Sequence, residues 1–320
     1  MRRFLVLCKA AMPKGADFVF GPCFFINARM RAHKEEKGMK KKIVSVLCAV
    51  TLALGLTACG GATGEAAKSS GEDKPATAST IDMSGVTLMS DGVLSVGCEV
   101  GYPPFEDFAD DGTTPIGFDI DIITAVAEKL GLKVNIINTA WDGIFAGIGV
   151  NYDVTCSAVT ITPERQESML FSTPYINNYQ AVVLLANDDR KMESFNDLNG
   201  LSIALQKETT SDILMSDYKS TGTIDVQIVA NEKVTSCFTQ LQNGEVDAVV
   251  VDSTVADGYI NSSKDFKIAY EDKSEPEQFG IAIAKDNTAL QKAINEALAE
   301  LEAEGYIKET YDYWFGAVAE

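Results

Sequence analysis

From Val93 onward, short apolar runs alternate with segments whose apolar residues recur at helical spacing, and Gly, Pro, Asn and Asp clusters punctuate the boundaries. The runs Val93–Cys98, Lys133–Asn138 and 154–159 read as strands. Between the first two, residues 119–130 place Ile123, Val126, Ala127 and Leu130 on one helical face, with Asp119 as the expected cap and Gly131 as the stop. A shorter helix is predicted over 142–148, and an apolar run follows at 181–186. Beyond the charged loop 187–191 the alternation starts again. It predicts strands at 201–205, 226–229, 246–251 and 266–269, with helices at 210–218, 232–242 and 253–260. A last apolar run, 279–284, leads into helices over 288–304 and 306–314. Such alternation predicts an α/β fold, and two units of similar size predict two lobes with a cleft between them.

The first ninety residues follow other rules. Residues 60–80 hold almost no large apolar side chain, as a flexible tether would. Ahead of them, Lys40, Lys41 and Lys42 precede the apolar stretch 43–56, and Leu56-Thr57-Ala58-Cys59 matches the lipobox of bacterial lipoproteins. This is a lipoprotein signal peptide over 39–58, too short and wrongly flanked for a membrane span, with cleavage before a lipid-carrying Cys59. Residues 1–38 are then expected to be an over-extended reading frame, with Met39 as the true start. Lys34-Glu35-Glu36 is what a purine-rich ribosome-binding site yields when translated. The expected division is 59–90 as lipidated cysteine and tether, 91–183 as the first part of lobe 1, 184–274 as lobe 2, and 275–320 as the return to lobe 1.

Processing changes the chemistry available. The 320 residues carry 27 Lys and Arg against 46 Asp and Glu; the first 58 take away 11 and 3 of these, leaving 16 against 43 and a net charge of −27. A surface this acidic repels nucleic acid and anionic lipid. The one histidine, His33, goes with the leader, so histidine-based nucleophilic catalysis and histidine-ligated zinc are excluded, and no metal or cofactor is expected. Of seven cysteines, Cys59, Cys98, Cys156 and Cys237 remain, without a CxxC; Cys98 and Cys156 fall on strands and read as buried free thiols, with a Cys98–Cys156 disulfide as the alternative. Two arginines survive. Arg190 sits in the charged loop, which leaves Arg165 as the one with a binding context.

Arg165 ends the stretch VTCSAVTITPER. Thr162 can cap a helix that Pro163 begins, and a helix start offers free N–H groups to an anion. The guanidinium adds a planar fork suited to a carboxylate. Ligands of open α/β sheets sit beyond the carboxyl ends of the strands. Residues 157–160 occupy such an end in the first unit, and Asp252 in the second.

Eight segments then carry a family likeness in family order: GYPPFE (101–106), IGFDIDI (116–122), TAWDGI (139–144), AVTITPER (158–165), FSTPY (171–175), NGEVDAVVVD (243–252), FGIAIAK (279–285) and YDYWFG (311–316). The chain resembles the polar amino-acid-binding proteins of bacterial ABC transporters, the family-3 solute-binding proteins. The resemblance implies a two-lobed, periplasmic-binding-protein-like fold with two crossover strands, here near 181–183 and 275–278, and a hinged cleft. It implies an extracytoplasmic, monomeric protein, held at the cell membrane by the lipid on Cys59, that hands an amino acid to an ABC permease and its ATPase. By the same resemblance Arg165 would clamp the ligand's α-carboxylate with Thr160 and Thr209 or Thr210. Ala158 would offer its carbonyl and Asp252 its charge to the α-ammonium, while Tyr102 and Trp141 wall the side chain and Glu99 and Gln206 read its far end. Where the family often has glycine before the lobe 2 threonines, this chain has Glu208.

A zwitterion leaving water needs a partner of each sign. Glu99 in the cleft of an acidic protein favours a basic amino acid, lysine or arginine, with glutamine and cystine open. The alternative is an enzyme on the same fold, of the cyclohexadienyl dehydratase kind, which would need a general acid over the substrate ring.

Overall fold

In the computed structural model, residues 81–316 are described. The expected signal peptide, Cys59 and most of the tether lie outside them. Residues 81–90, expected as the end of the tether, instead pack on the first lobe. Ile81 is buried, the Thr87 carbonyl accepts from Asn287 Nδ2 at 2.7 Å, and the Met89 amide donates to Asp153 Oδ1 at 2.7 Å.

The first lobe is built on a five-stranded sheet. β1 (Val93–Cys98) pairs in parallel with β4 (Lys133–Asn138) on one side and β5 (Val154–Thr155) on the other; β14 (Ala282–Ala284) lies antiparallel to β5 and to β6 (Met169–Phe171). A short hairpin, β2 (Asp107–Phe108) and β3 (Pro115–Ile116), precedes α1 (Phe118–Lys129). α1 packs against α6 (Thr288–Ala303) and α7 (Tyr306–Phe315). α6 buries Leu290, Ile294, Ala297, Leu298 and Leu301, the helical spacing seen in the sequence. Each fully buried aliphatic side chain there contributes about 1.5–3 kcal/mol. Gly97 lies where a Cβ would stand 2.4 Å from the Tyr152 ring, so β1 admits no side chain at that point.

The second lobe repeats the plan. β9 (Ser202–Gln206) is parallel to β10 (Gln227–Asn231) and β11 (Ala248–Asp252); β8 (Gln180–Leu185) runs antiparallel between β11 and β12 (Phe266–Glu271). α3 (Thr210–Ser220), α4 (Val234–Gln242) and α5 (Ser253–Ser262) flank this sheet.

The two lobes are joined by an antiparallel ribbon of β7 (Ile176–Asn178) and β13 (Glu277–Phe279). The first crossover is therefore earlier than the expected 181–183, and lobe 2 begins before 184. Ala181, Val182 and Val183 are fully buried and paired on both sides, as interior strand residues are, whereas the true crossover holds polar Asn177 and Asn178. The second crossover falls beside the expected 275–278.

Two local expectations also shift. Asp119 does not cap α1. The N-cap is Gly117, and the Asp119 carboxylate turns inward to accept from the Ala158 amide at 2.6 Å and the Tyr175 hydroxyl at 3.0 Å. The expected strand over 154–159 stops at Thr155, because Ala158 takes a left-handed φ of 48° to present that amide. Cys98, Cys156 and Cys237 are free and buried, and burial pushes all three thiols above their ordinary range. Among the described residues, no helix is long and apolar enough to cross a membrane.

Candidate functional site

The register places the carboxyl ends of four strands at one cleft. Glu99 follows β1, Ser157 and Ala158 follow β5, Gln206 ends β9 and Asp252 ends β11. All ten residues singled out in the sequence line one narrow pocket there, together with Glu106 and Ser157.

On the lobe 1 side, Arg165 sits in α2 (Pro163–Ser168) with 9% of its surface exposed. Its guanidinium lies over the rings of Trp141 and Phe145, 5.5 and 5.0 Å from their centroids, and Nη1 donates to the Thr160 carbonyl at 2.8 Å. Burial pulls its pKa down while Glu277 and Asp252 hold it up. Among the described residues it makes no ion pair. The start of α2 is less open than the sequence suggests, since Thr162 Oγ1 already accepts from the Arg165 amide. Any anion at this end is left to the guanidinium rather than to the helix terminus.

From lobe 2, Asp252 points into the space: it stands at the N-cap position of α5, but its side chain makes no capping bond there. Its carboxylate accepts from the Tyr102 hydroxyl across the cleft, from Asn178 Nδ2 at 2.6 Å and from Gln180 Nε2 at 3.0 Å. Burial pushes Asp252 up to about 7, and nearby Glu277 pushes the same way. Thr209 and Thr210 divide their work. Thr209 caps α3 through the Asp212 amide, while Thr210 Oγ1 faces the crossover, accepting from Gln180 and donating to Glu277. Glu208, where the family often has glycine, keeps the left-handed backbone with φ 61°.

At the other end, Gln206 Nε2 donates across the cleft to Glu99 Oε2 at 2.7 Å. Burial pushes Glu99 up to about 7, opposed by that bond. Trp141 Nε1 also crosses, to the Glu208 carbonyl at 3.2 Å. Two buried oxygens lack partners, Gln206 Oε1 and Glu106 Oε2. Glu106 Oε1 accepts from Ser157 at 2.5 Å, and burial holds its pKa well above the usual carboxylate range. This end of the space thus holds two buried oxygens without hydrogen-bond partners.

The model of the bacterial extracellular solute-binding proteins, family 3, matches residues 94–317. The chain belongs to that family. Among relatives, it is 31% identical over 227 residues to ABC transporter arginine-binding protein 1 of Escherichia coli K12, covering 69% of this chain and 90% of that protein. It is 30% identical over 282 residues to the L-cystine-binding protein TcyA of Bacillus subtilis 168, covering 87% and 98%. Among solved structures it is similar to an ancestral arginine-binding protein bound to arginine, with 36% identity, a TM-score of 0.65 and coverage of 70% and 99%. It is also similar to the ancestral amino acid-binding protein AncCDT-1, a precursor of cyclohexadienyl dehydratase, with 32% identity, a TM-score of 0.65 and coverage of 70% and 96%.

Within this family-3 fold the sequence left several cleft residues unmarked. Asn178, Gln180 and Glu277 belong to the crossovers or their edge, far in sequence from Asp252, and nothing in their spacing joins them to it. Glu106 could have been found: it closes the GYPPFE segment that supplied Tyr102.

Proposed function

We propose that this chain is the lipid-anchored substrate-binding component of an amino-acid ABC importer, and that it captures a polar L-amino acid, preferentially a basic one, by closing its lobes around it. The observation that carries this reading is that Arg165 and Asp252, from different lobes, line one pocket without an ion pair between them. A buried charge without a partner costs several kcal/mol. A zwitterion lying between them supplies a carboxylate to Arg165 and an ammonium to Asp252, and so favours the closed arrangement over the open one. Thr160 and Thr210 would share the carboxylate and the Ala158 carbonyl the ammonium, with Tyr102 and Trp141 as walls. Thr209 would hold the loop rather than the ligand.

Preference for a basic side chain rests on the far end, where Glu99 and Gln206 Oε1 offer acceptors; the charge of Lys233 also reaches Glu99 and holds its pKa down, so a cationic ligand would share that carboxylate with it. Binding without turnover is the reading adopted. Asp252 is engaged by three donors, an arrangement suited to holding an ammonium. Cys59 would carry the lipid that keeps the protein beside its permease and ATPase.

The test is a thermal-shift screen of the purified protein against the twenty amino acids and cystine, with prephenate and arogenate assayed for turnover. A ligand at about 100 times its Kd stabilises by roughly 2.7 kcal/mol, a shift of about 2–4 °C per kcal/mol for a domain of this size. Arginine or lysine is expected to give the largest shift. No shift with any amino acid, or turnover of prephenate or arogenate, would overturn the proposal.

A further inference from the structure

Glu277 lies on the second crossover, and one of its oxygens gathers four donors. Oε2 accepts from Asn178 Nδ2 at 3.1 Å, Gln180 Nε2 at 3.2 Å, Thr160 Oγ1 at 3.3 Å and Thr210 Oγ1 at 3.3 Å. These donors come from lobe 1 (Thr160), from lobe 2 (Gln180 and Thr210) and from the first crossover (Asn178). The same two amides donate to Asp252 Oδ1, so two carboxylates share one pair of donors. Thr160 and Thr210 are the hydroxyls that the reading above gives to the ligand's α-carboxylate.

We infer that Glu277 is an intramolecular competitor for the carboxylate end of the cleft: its side chain bridges the lobes through the hydroxyls that a bound amino acid's carboxylate must take, and the ligand binds by displacing it. The inference rests on the proposed binding of an amino acid for its affinity readout, but not for its conformational one. Charge gives the same answer. Arg165 pairs with a ligand carboxylate and Asp252 with a ligand ammonium, which leaves the charge of Glu277 over. Two carboxylates on shared donors repel, and the repulsion grows as water leaves the cleft. Displacement of Glu277 towards solvent relieves it, and because the side chain is only partly buried, that path is open. The residue therefore taxes the affinity for every amino acid, and it holds the lobes together when none is bound.

The test is Glu277→Gln, which keeps the shape and removes the charge. Two readouts are needed. Isothermal titration with L-arginine and with L-lysine is expected to show binding about tenfold tighter than in the parent protein, equivalent to about 1.4 kcal/mol. The second is the emission of Trp141, which bonds across the cleft and is one of two tryptophans; a Trp314→Phe background isolates it. Without ligand, Glu277→Gln is expected to shift that emission to the red as the lobes part. Weaker binding would overturn the inference by making Glu277 part of the ammonium seat. Unchanged affinity with unmoved emission would overturn it as well. If neither amino acid binds the parent protein, the proposed function fails, and the Trp141 emission alone decides whether Glu277 joins the lobes.

Discussion

Gln206 Nε2 donates to Glu99 Oε2 across the cleft and, with its other hydrogen, to the Glu232 carbonyl at 3.0 Å. Both amide hydrogens are thus committed, which fixes the side chain with Oε1 turned inward and unpartnered. A cationic side chain reaching this end would find the Glu99 carboxylate and an amide oxygen that lacks a donor. Glu99→Gln is expected to lower affinity for arginine by about 2–5 kcal/mol, the range for truncating one partner of a buried charge pair. Glutamine affinity should change far less. Titration calorimetry with both ligands measures the difference, and an equal loss for the two would detach Glu99 from side-chain reading.

Arg165 is held by shape as much as by charge. Its guanidinium lies over Trp141 and Phe145 while Nη1 reaches the Thr160 carbonyl. A lysine ammonium is a point charge that cannot fill the flat slot and present a fork at once. Arg165→Lys should weaken amino-acid binding by roughly 1.5–3 kcal/mol, and Arg165→Ala by more, since it leaves the ligand carboxylate stranded. Unchanged affinity in the lysine variant would mean that the fork is not used.

The fold was legible wherever burial follows a period. Leu290, Ile294, Leu298 and Leu301 mark α6 by spacing alone, and Val249–Val251 cannot be other than an interior strand. The cleft was legible through motifs, because Tyr102, Trp141, Ala158, Arg165 and Asp252 stand in segments that travel together. What the sequence hid is long-range pairing of polar groups. Asp119 reads as a cap because a short acid near a helix start usually is one; only the folded chain brings the Ala158 amide to it. Glu277 reads as linker for the same reason, its four donors lying 67 to 117 residues away along the chain.

Stability should fall as pH rises towards 8. Glu99, Asp119, Asp121 and Asp252 are each pushed up to about 7 by burial. In the unfolded chain such groups titrate near about 4. Between these values the folded state binds more protons, so the contribution is complete below about pH 4 and lost as pH rises through about 7, by at most about 1.4 kcal/mol per unit and group. Asp82, Asp188 and Asp197 are shifted down instead and act only at more acid pH. Thermal unfolding without ligand should show a lower Tm at pH 8 than at pH 5.5, and Asp252→Asn should flatten that slope. A Tm that rises over this range would contradict the assignment.

Glu208 stands at φ 61°, a conformation that costs a residue with a Cβ about 1–2 kcal/mol. Its backbone holds two neighbours here: the amide donates to Asp212 Oδ2 at 2.8 Å, and the carbonyl accepts from Trp141. Glu208→Gly keeps both bonds and removes the strain. It is expected to stabilise the protein by up to about 1 kcal/mol in urea unfolding, with ligand affinity unchanged. Destabilisation would show that the glutamate side chain carries a role of its own.

Closure itself can be obstructed at one atom. Gly258 is in α5 of lobe 2, and a Cβ built there would stand 2.5 Å from Cδ of Pro104, in the lobe 1 loop that also holds Tyr102. The obstacle is a proline ring, which cannot swing aside as the tip of a long side chain would. Within lobe 2 alone, alanine suits an α-helix better than glycine, by about 1 kcal/mol. Gly258→Ala should therefore leave the fold as stable as before, or slightly more so, while pushing Tyr102 away from Asp252 and the two halves of the site apart. Because the carboxylate and ammonium partners come from different lobes, misplacement of even an ångström weakens both at once. Titration with L-arginine is expected to show at least a tenfold loss, about 1.4 kcal/mol, against an unchanged or raised Tm without ligand. Loss of affinity together with loss of Tm would mean that the substitution damages lobe 2 rather than its closure, and retained affinity would mean that the lobes close on the ligand with Pro104 and Gly258 further apart than they stand here.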